Sequence, residues 1–276
     1  MASMLHNITK GVTGKLKQMS NPYKKFNINW VDLRLLKNKP KQPLYKQKFL
    51  NGYIQFHDAA EFLYGVKEIF IQEIYKQTIK SDALIIDCGA NIGLSVIYLR
   101  SIYPKAKIIA FEPDEKNFEL LRANISSQAI NNVELKKEAV WTENTMLSFE
   151  SQGTMSSKIS ENSPGNTGEV KKVKATRLKE ILSQPVDFLK IDIEGAEYQV
   201  LKDIKDQLFL VNVMFLEYHG TFEQNNELIE MLEWVRAAGF SFYIKEAAEL
   251  NPTPFYSKNK ANTDFDVQLN IFCFRQ

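Results

Sequence analysis

The sequence contains only two cysteines, Cys88 and Cys273, and each lies inside an apolar run typical of a buried strand. Two such separated thiols provide neither a disulfide framework nor a cysteine-based zinc site. The sequence also lacks an apolar run long enough to span a membrane, and its first residues lack the three-part pattern of a secretory signal. These absences favour a soluble, cytoplasmic protein over a secreted or membrane-spanning one.

Acidic residues are nearly missing from the first 50 positions, although the whole chain is almost neutral, with 35 basic and 33 acidic residues. Residues 1–50 contain eleven Lys or Arg and one acidic residue, Asp32, which gives this segment a net charge of +10. The remaining residues contain 24 basic and 32 acidic side chains, a net charge of −8. The sequence therefore predicts a basic, partly helical N-terminal arm, residues 1–50, followed by one domain, residues 51–276.

Residues 1–20 show the spacing of an amphipathic helix, although Gly11 and Gly14 weaken the pattern. One helical face carries the apolar side chains, which are Met4, Leu5, Ile8, Val12, Leu16 and Met19. Two interpretations stay open. The arm packs on the domain or on a second subunit of a homo-oligomer, or it contacts an anionic inner-membrane surface peripherally. Nucleic acid is not an expected partner, because lysines outnumber arginines and no aromatic stacking motif or zinc-finger spacing accompanies them.

From Ser81 onward, apolar runs of strand length alternate with segments of helical periodicity, which is typical of βαβ units and a parallel sheet. The predicted strands are 83–87, 108–112, 133–136, 188–193, 213–217, 241–245 and 267–274, and the predicted helices are 93–100, 115–125, 178–182, 197–205 and 226–238. The last two strands are expected to form an antiparallel edge. We therefore predict a doubly wound, seven-stranded, mostly parallel α/β fold, with polar loops at 151–168 and 251–264.

The first strand-to-helix turn, Asp87 to Gly93, has the spacing G-x-N-x-G. Gly89 permits a tight turn with close backbone approach, and Gly93 lets the next helix pack near the sheet. A nicotinamide-dependent oxidoreductase is disfavoured, because Asn91 stands where its fingerprint needs a glycine. This spacing does not arrange the backbone amides for a pyrophosphate in the usual dinucleotide way, and it suits S-adenosylmethionine (SAM), a nucleoside cofactor that has no phosphate. We expect Asp87 to receive the ammonium of its methionine half, directly or through water, and the turn amides to face its carboxylate.

Glu112 ends the second predicted strand and is followed by Pro113. A carboxylate at this place can accept hydrogen bonds from both ribose hydroxyls of a nucleoside. Acidic strand ends also serve as helix caps, so Glu112 alone does not separate the two roles. One strand-helix-strand interval separates Glu112 from Asp87, and the two residues together predict a SAM site.

These segments resemble the FkbM-type methyltransferases, which are SAM-dependent O-methyltransferases with the class I, Rossmann-like fold. The resemblance extends over most of residues 50–276, and the basic arm lies outside it. It depends on the segments IIDCGANIGLSVIYL (85–99), AFEPDEKNFELLRANI (110–125), EAVW (138–141), DFLKIDIEGAEYQVL (187–201) and FLEYHG (215–220). The resemblance implies that the methionine half of SAM is held by Asp87, Gly89, Ala90, Asn91 and Gly93. It also implies that Glu112 and Pro113 lie at the ribose, and that Glu138 and Ala139 flank the adenine.

A second group of polar residues, Asp192, Glu194, Glu217 and His219, follows two successive predicted strands. Neighbouring carboxyl ends converge at one edge of a parallel sheet, so these side chains are expected in one pocket beside the sulfonium, with Asp192 also contacting the cofactor. They can balance the sulfonium charge, take a hydroxyl proton or bind a divalent metal, which stays open. We expect His219 to be the general base, because its unperturbed pKa is about 6.5. The alternatives are a structural histidine and a helix cap at Glu194.

The combined prediction is an O-methyltransferase that uses SAM to methylate a sugar hydroxyl of a bacterial-type glycan or glycoconjugate. This acceptor follows from the resemblance and the cationic arm alone. A hydroxylated natural product is the alternative small-molecule acceptor, and a non-catalytic SAM-binding or membrane-tethering module is the alternative from a different class. The loop 151–168 is a candidate lid. The aromatic residues Tyr53, Phe56, Phe62 and Tyr64 are candidates for an acceptor wall or for core packing.

Overall fold

A computed structural model describes residues 21–38, 42–150, 158–159, 170–253, 255 and 265–275. The amphipathic helix predicted in residues 1–20 lies outside these ranges, as do most of the loops predicted at 151–168 and 251–264. The backbone divides into two compact units, Met1–Ile74 and Tyr75–Gln276. Within the described ranges, no helix has both the length and the apolar character needed to cross a membrane.

The first unit combines short helices with a β-hairpin. Its elements are a 3-10 helix at Pro22–Phe26, α1 at Trp30–Asn38, β1 at Tyr45–Phe49, β2 at Gly52–Phe56, α2 at Ala59–Gly65 and a π-helix at Val66–Ile71. Asp58 begins α2 as a cap, because its side chain accepts hydrogen bonds from two backbone N–H groups of the first turn. β1 and β2 pair in an antiparallel register. The boundary predicted at 50/51 lies in the turn of this hairpin. It was predicted from the change in net charge along the sequence, whereas strand pairing joins the residues on its two sides.

Aromatic rings form the core of the first unit. The rings of Phe56 and Phe62 stack with centroids 4.1 Å apart, and Phe49 meets Phe70 edge-on at 5.0 Å. Each such buried side chain stabilises the fold by about 1.5–3 kcal/mol through its removal from water. Phe56 and Phe62, two of the candidates for an acceptor wall, are therefore core residues.

The second unit contains two sheets. In chain order its strands are β3 (Leu84–Cys88), β4 (Lys107–Phe111), β5 (Val133–Lys136), β6 (Ala139–Trp141), β7 (Thr145–Glu150), β8 (Lys158–Ile159), β9 (Val170–Arg177), β10 (Val186–Ile191), β11 (Val211–Gly220), β12 (Ser241–Glu246) and β13 (Val267–Phe274). The large sheet has the order β12-β13-β11-β10-β3-β4-β5. Only the pairings of β13 with β11 and β12 are antiparallel among its six pairings. The predicted mostly parallel seven-stranded sheet with an antiparallel edge is confirmed.

Helices follow the strands as the alternating pattern predicted. They are α3 (Leu94–Ile102), α4 (Glu115–Ser127), α5 (Leu178–Ile181), α6 (Glu197–Ile204) and α7 (Asn225–Ala237), with 3-10 helices at Lys205–Leu210 and Phe222–Gln224. Apolar residues of α6 and α7, such as Val200 and Met231, join Leu189 and Leu216 of the central strands in one buried cluster. This core fixes the strand ends that carry the polar residues.

Two parts of the second unit differ from the prediction. β11 reaches Gly220 instead of residue 217, because its polar residues pair with β13, His219 opposite Gln268. The small sheet, in the order β6-β9-β7-β8, was not predicted. Its longest strand, β9, carries three lysines among eight residues, which hid the strand pattern. Lys158–Ile159, inside the predicted loop 151–168, forms β8.

Candidate active site

The turn after β3 is shaped by two glycines. Gly89 has a φ of +93°, and a Cβ atom there would lie 1.9 Å from the backbone oxygen of Asp192. Gly93 has a φ of +94°, and a Cβ atom there would lie 2.8 Å from the side chain of Leu121 on α4. Larger residues at these positions would collide with neighbouring elements in a backbone conformation that already disfavours them. The turn therefore lies directly against the loop that follows β10.

The amides of this turn donate mainly within the protein. The N–H groups of Gly89 and Ala90 donate to the carbonyl oxygen of Phe111, at 3.1 and 2.8 Å, and the N–H of Gly93 donates to Ala90. This corrects the expectation that these amides face the carboxylate of SAM, because the end of β4 occupies them. The side chain of Asn91 fits a ligand better. Its Oδ1 is buried and accepts no hydrogen bond from the described residues, so it suits a donor such as the ammonium of SAM.

Asp87 is completely buried at the end of β3. Its Oδ2 accepts a hydrogen bond of 2.5 Å from the Ser95 hydroxyl, and its Oδ1 lies 3.2 Å from Lys190 Nζ. Apart from this ion pair, Oδ1 accepts no hydrogen bond from the described residues, and the contact of Asp87 with the ammonium of SAM, directly or through water, stays a prediction. Its place in the site is to hold Lys190 and the start of α3.

Lys190 is the site residue that sequence reasoning missed. Its side chain is 2% exposed, its Nζ lies 3.0 Å from Asp192 Oδ2, and it donates a 2.7 Å hydrogen bond to the carbonyl oxygen of Gly89. Burial lowers the pKa of Lys190, but Asp192 and Asp87 outweigh burial and raise it well above its ordinary value. The ammonium therefore ties the turn after β3 to the loop after β10. A lysine inside the apolar run FLKI was the available signal, because buried lysines require anionic partners.

Glu112 lies at the end of β4, where it is 5% exposed. Its Oε2 accepts a hydrogen bond of 2.8 Å from the Asn91 N–H, and its Oε1 accepts one of 2.9 Å from the Asp114 N–H. Burial raises the pKa of Glu112 to about 8, although these two amides act in the opposite direction. Each carboxylate oxygen has a second lone pair, so the group still fits two ribose hydroxyls.

The other predicted cofactor residues lie near the ends of β4 and β5. Pro113 is partly exposed, and Ala139 is 2% exposed. Glu138 receives a 2.7 Å hydrogen bond from Lys174 Nζ and another from the Thr176 hydroxyl. Burial acts to raise the pKa of Glu138, but these two partners outweigh it and lower the pKa. Glu138 is therefore fixed by β9 of the small sheet.

The second polar group comes together at the adjacent ends of β10 and β11. His219 Nε2 lies 3.6 Å from Glu194 Oε2 and 3.6 Å from Glu217 Oε1. The loop that carries Asp192 and Glu194 is in the left-handed region at Glu194, with a φ of +55°, and at Gly195. We call Asp192, Glu194, Glu217 and His219 the carboxylate–histidine cluster. The convergence expected from the sequence is present in the structure.

Glu197, the first residue of α6, holds the histidine. Its Oε1 lies 3.1 Å from His219 Nδ1 and accepts hydrogen bonds from the backbone N–H groups of Ile193 and Gly195. Glu197 is 1% exposed and His219 is 5% exposed. Sequence reasoning missed Glu197 because the contact joins a helix start to a strand 22 residues later. The carboxylate fixes the imidazole plane and directs Nε2 at the cluster.

The electrostatic setting of His219 differs from that of a neutral base. Burial lowers its pKa, but the carboxylates of Glu197, Glu194 and Glu217 outweigh burial and raise the pKa to about 10. The role of His219 as the general base stays a prediction.

Part of the cluster has the donor atoms of a metal site. One ligand atom from each of Asp192, Glu194 and His219 lies within 4.8 Å of the other two. Carboxylate oxygens and an imidazole nitrogen are donors that divalent first-row cations accept. The carboxylates alone place negative charge next to the turn that follows β3, and a bound divalent cation would place positive charge there.

Comparisons with known proteins identify the family of this chain. The family model of the methyltransferase FkbM domain matches residues 87–242. The methyltransferase sdnD of Sordaria araneosa is 29% identical over 191 residues, which cover 54% of this chain and 70% of sdnD. The hexuronic acid methyltransferase AglP of Haloferax volcanii is 28% identical over 142 residues, which cover 51% of this chain and 58% of AglP.

A solved structure shows the same fold. The crystal structure of a SAM-dependent methyltransferase from Agrobacterium tumefaciens superposes with a TM-score of 0.50 at 9% identity, over 87% of this chain and 72% of that one. The FkbM match includes the turn after β3, Glu112 and the carboxylate–histidine cluster, and it spans more than half of the 276 residues. The chain therefore belongs to the FkbM methyltransferase domain family and is a SAM-dependent methyltransferase.

Proposed function

We propose that this methyltransferase transfers the methyl group of SAM to a hydroxyl oxygen of a sugar. The observation that carries the proposal is the carboxylate–histidine cluster, which adjoins the turn after β3. Asp192 belongs to both parts, because its N–H donates to Cys88 at the end of β3 and its carboxylate binds Lys190. A non-catalytic SAM-binding module would need no such cluster beside the cofactor turn.

The transfer requires a hydroxyl oxygen in line with the methyl group. The oxygen lone pair forms the new C–O bond while the C–S bond breaks, and its electrons neutralise the sulfonium to give the thioether product. The hydroxyl proton must leave to a base. We assign it to Glu217, because this residue lies on β11 opposite Asn270 of β13 and its position is fixed by strand pairing. Fixed geometry supplies much of the rate in such a transfer.

Residues at the SAM turn have separate roles in this proposal. Glu112 accepts hydrogen bonds from the ribose hydroxyls, and Asn91 accepts one from the methionine ammonium. Lys190 and Asp87 hold the turn in place without touching the substrate. Ala139 and Glu138 border the adenine, as the family resemblance implies.

A sugar fits the cluster because carboxylates accept hydrogen bonds from several neighbouring hydroxyls at once. The similarity to AglP, whose name specifies a hexuronic acid, supports a carbohydrate acceptor. A hexuronic acid offers two targets, a ring hydroxyl and a carboxylate. The proposal specifies the hydroxyl, because a hydroxyl has a proton for Glu217 to remove, whereas a hexuronic acid has already lost its carboxyl proton near neutral pH.

Methyl-labelled SAM tests the acceptor class. Incubation with neutral glycans, hexuronic-acid glycans and hydroxylated natural products should place label in a carbohydrate fraction. The labelled bond should survive mild alkali, since an ether resists hydrolysis under conditions that cleave a methyl ester. Label in the natural-product fraction alone would contradict the sugar assignment, and alkali-labile label would contradict the hydroxyl. SAM binding without any transfer would favour the binding module.

The raised pKa of Glu112 predicts how the affinity for SAM depends on pH. Ribose hydroxyls donate to the ionised carboxylate, so SAM binding favours loss of the proton that burial retains up to a pH of about 8. SAM affinity should be constant above that pH and should fall by about tenfold per pH unit below it, until the pKa of the bound state is reached. Calorimetry in buffers of different ionisation enthalpy should show the released proton.

Glu112→Gln provides the control for this experiment. It should bind SAM about ten- to a hundredfold more weakly at pH 8.5, because a charge-assisted hydrogen-bond acceptor is lost. Its affinity should also be flat between pH 6.5 and 8.5. A wild-type affinity that rises as pH falls through this range would overturn the placement of the ribose at Glu112.

A further inference from the structure

We propose that Asp192, Glu194 and His219 bind a divalent cation of the Mn²⁺ and Mg²⁺ class, and that this cation holds the acceptor hydroxyl. The second clause rests on the proposed function, whereas the binding of the cation does not. The three ligand atoms lie within 4.8 Å of one another. Ligands about 2.1 Å from a common ion lie at most about 4.2 Å apart, so side-chain shifts below an ångström complete the site.

The orientation of His219 is an independent observation that points to a ligand. Its side chain is 2% exposed, and Nδ1 is taken by the Glu197 carboxylate at 3.1 Å. Nε2 is thereby directed at the cluster, where it lies 3.6 Å from Glu194 and from Glu217. These separations exceed hydrogen-bonding distance, so a nearly buried nitrogen points into the space between carboxylates without a hydrogen bond to either.

The partner of Nδ1 matches what metal-binding histidines need. Such histidines donate their other ring N–H to a carboxylate or carbonyl, which sets the tautomer and the ring plane. Glu197 Oε1 is itself fixed by the N–H groups of Ile193 and Gly195, at 3.0 and 3.1 Å. The same backbone segment carries Glu194. Glu197 thus orients the imidazole and the loop of a second ligand together.

The donor set selects the kind of cation. Two carboxylates and one imidazole suit Mn²⁺ or Mg²⁺, which keep water or substrate oxygens at their remaining positions, and the imidazole favours Mn²⁺ of the two. The described cysteines, Cys88 and Cys273, lie inside β3 and β13. The set of ligands therefore contains no thiolate, the donor that would select a softer ion.

The surroundings suit a metal-bound hydroxyl. The Phe265 ring lies beside the imidazole, with centroids 5.0 Å apart, and gives the cluster an apolar side. Asp192 lies against Gly89, so the proposed cation adjoins the turn assigned to SAM. An acceptor oxygen bound to the cation loses its proton more readily, and Glu217 takes that proton as the oxygen attacks the methyl carbon. The sulfonium leaves as a neutral thioether.

The test measures Mn²⁺ binding to the full chain by electron paramagnetic resonance, with and without SAM. The wild type should bind one equivalent, and Mg²⁺ should displace it. Glu194→Gln and His219→Ala should each weaken binding at least tenfold. The matched control, Glu233→Gln, changes an exposed carboxylate on α7 and should bind as the wild type does. Circular dichroism of each variant shows that it is folded.

Several results would overturn the proposal. If the wild-type protein binds no Mn²⁺, that result alone overturns the cation site, whatever the variants show. Binding that survives both substitutions would move the ion elsewhere. SAM affinity measured on the same samples separates the cation site from the proposed function. If the wild type binds SAM but not Mn²⁺, only the cation site is contradicted. If the wild type does not bind SAM either, the proposed function is contradicted as well.

Discussion

Replacing Lys190 with methionine should lower the free energy of unfolding by about 3–5 kcal/mol. The substitution keeps the volume of the side chain but removes the only ammonium between Asp87 and Asp192 that the described residues provide. Asp87 is completely buried, so its charge would remain without water and without its cation. The loss should appear as a lower urea midpoint in equilibrium unfolding.

A matched lysine shows that the effect comes from burial. Lys174 also forms an ion pair, with Glu138, but its side chain is 64% exposed. Lys174→Met should therefore cost less than about 1 kcal/mol. The double variant Lys190→Met with Asp87→Asn should recover part of the loss, since it removes the isolated charge. Equal effects of the two lysine substitutions would refute the role given to Lys190.

Glu217→Gln should reduce kcat by a factor on the order of 10² to 10⁴ while leaving the Kd for SAM within about twofold of the wild type. Glutamine keeps the shape of the side chain and its oxygen but cannot take the hydroxyl proton. β11 is separated from β3 by β10, so the cofactor turn should be undisturbed. Single-turnover rates with saturating acceptor report the chemical step directly.

Comparison with Glu194→Gln separates proton transfer from cation binding. Glu217→Gln should bind Mn²⁺ nearly as the wild type does, whereas Glu194→Gln should lose both Mn²⁺ affinity and turnover. Glu233→Gln should retain full activity. Near-normal turnover in Glu217→Gln would mean that the proton leaves by another route and would withdraw the role assigned to this residue.

Local patterns were sufficient to predict the large sheet. Strands such as Leu84–Cys88 are apolar and bounded by turn residues, and the spacing from Asp87 to Glu112 covers one strand-helix-strand interval. β11 was predicted too short because its last residues, including Glu217 and His219, are polar. Their burial depends on pairing with β13, which lies about fifty residues later in the chain, and no local pattern contains that information.

The chemistry of the site was harder to predict than its location. The sequence placed Asp192, Glu194, Glu217 and His219 together, and the structure agrees. It did not show that Lys190 forms an ion pair with Asp87. Nor did it show that the carboxylate of Glu197, together with those of Glu194 and Glu217, raises the pKa of His219. Both effects come from side chains on adjacent elements, so they depend on packing that only three-dimensional coordinates reveal. The contact of each residue with SAM stays a prediction.

The collision at position 89 bears on how relatives of this chain should be recognised in genomes. A Cβ atom there meets the backbone oxygen of Asp192 at 1.9 Å, so the protein itself demands glycine whether or not a ligand is bound. A lineage that had lost catalysis would keep Gly89 for as long as it kept its sheet. Asn91, whose Oδ1 bonds to nothing among the described residues, would be free to change to aspartate or glycine, which its φ of +49° also accepts. Degenerate homologues should therefore be sought by changes at Asn91 and not by loss of the glycine.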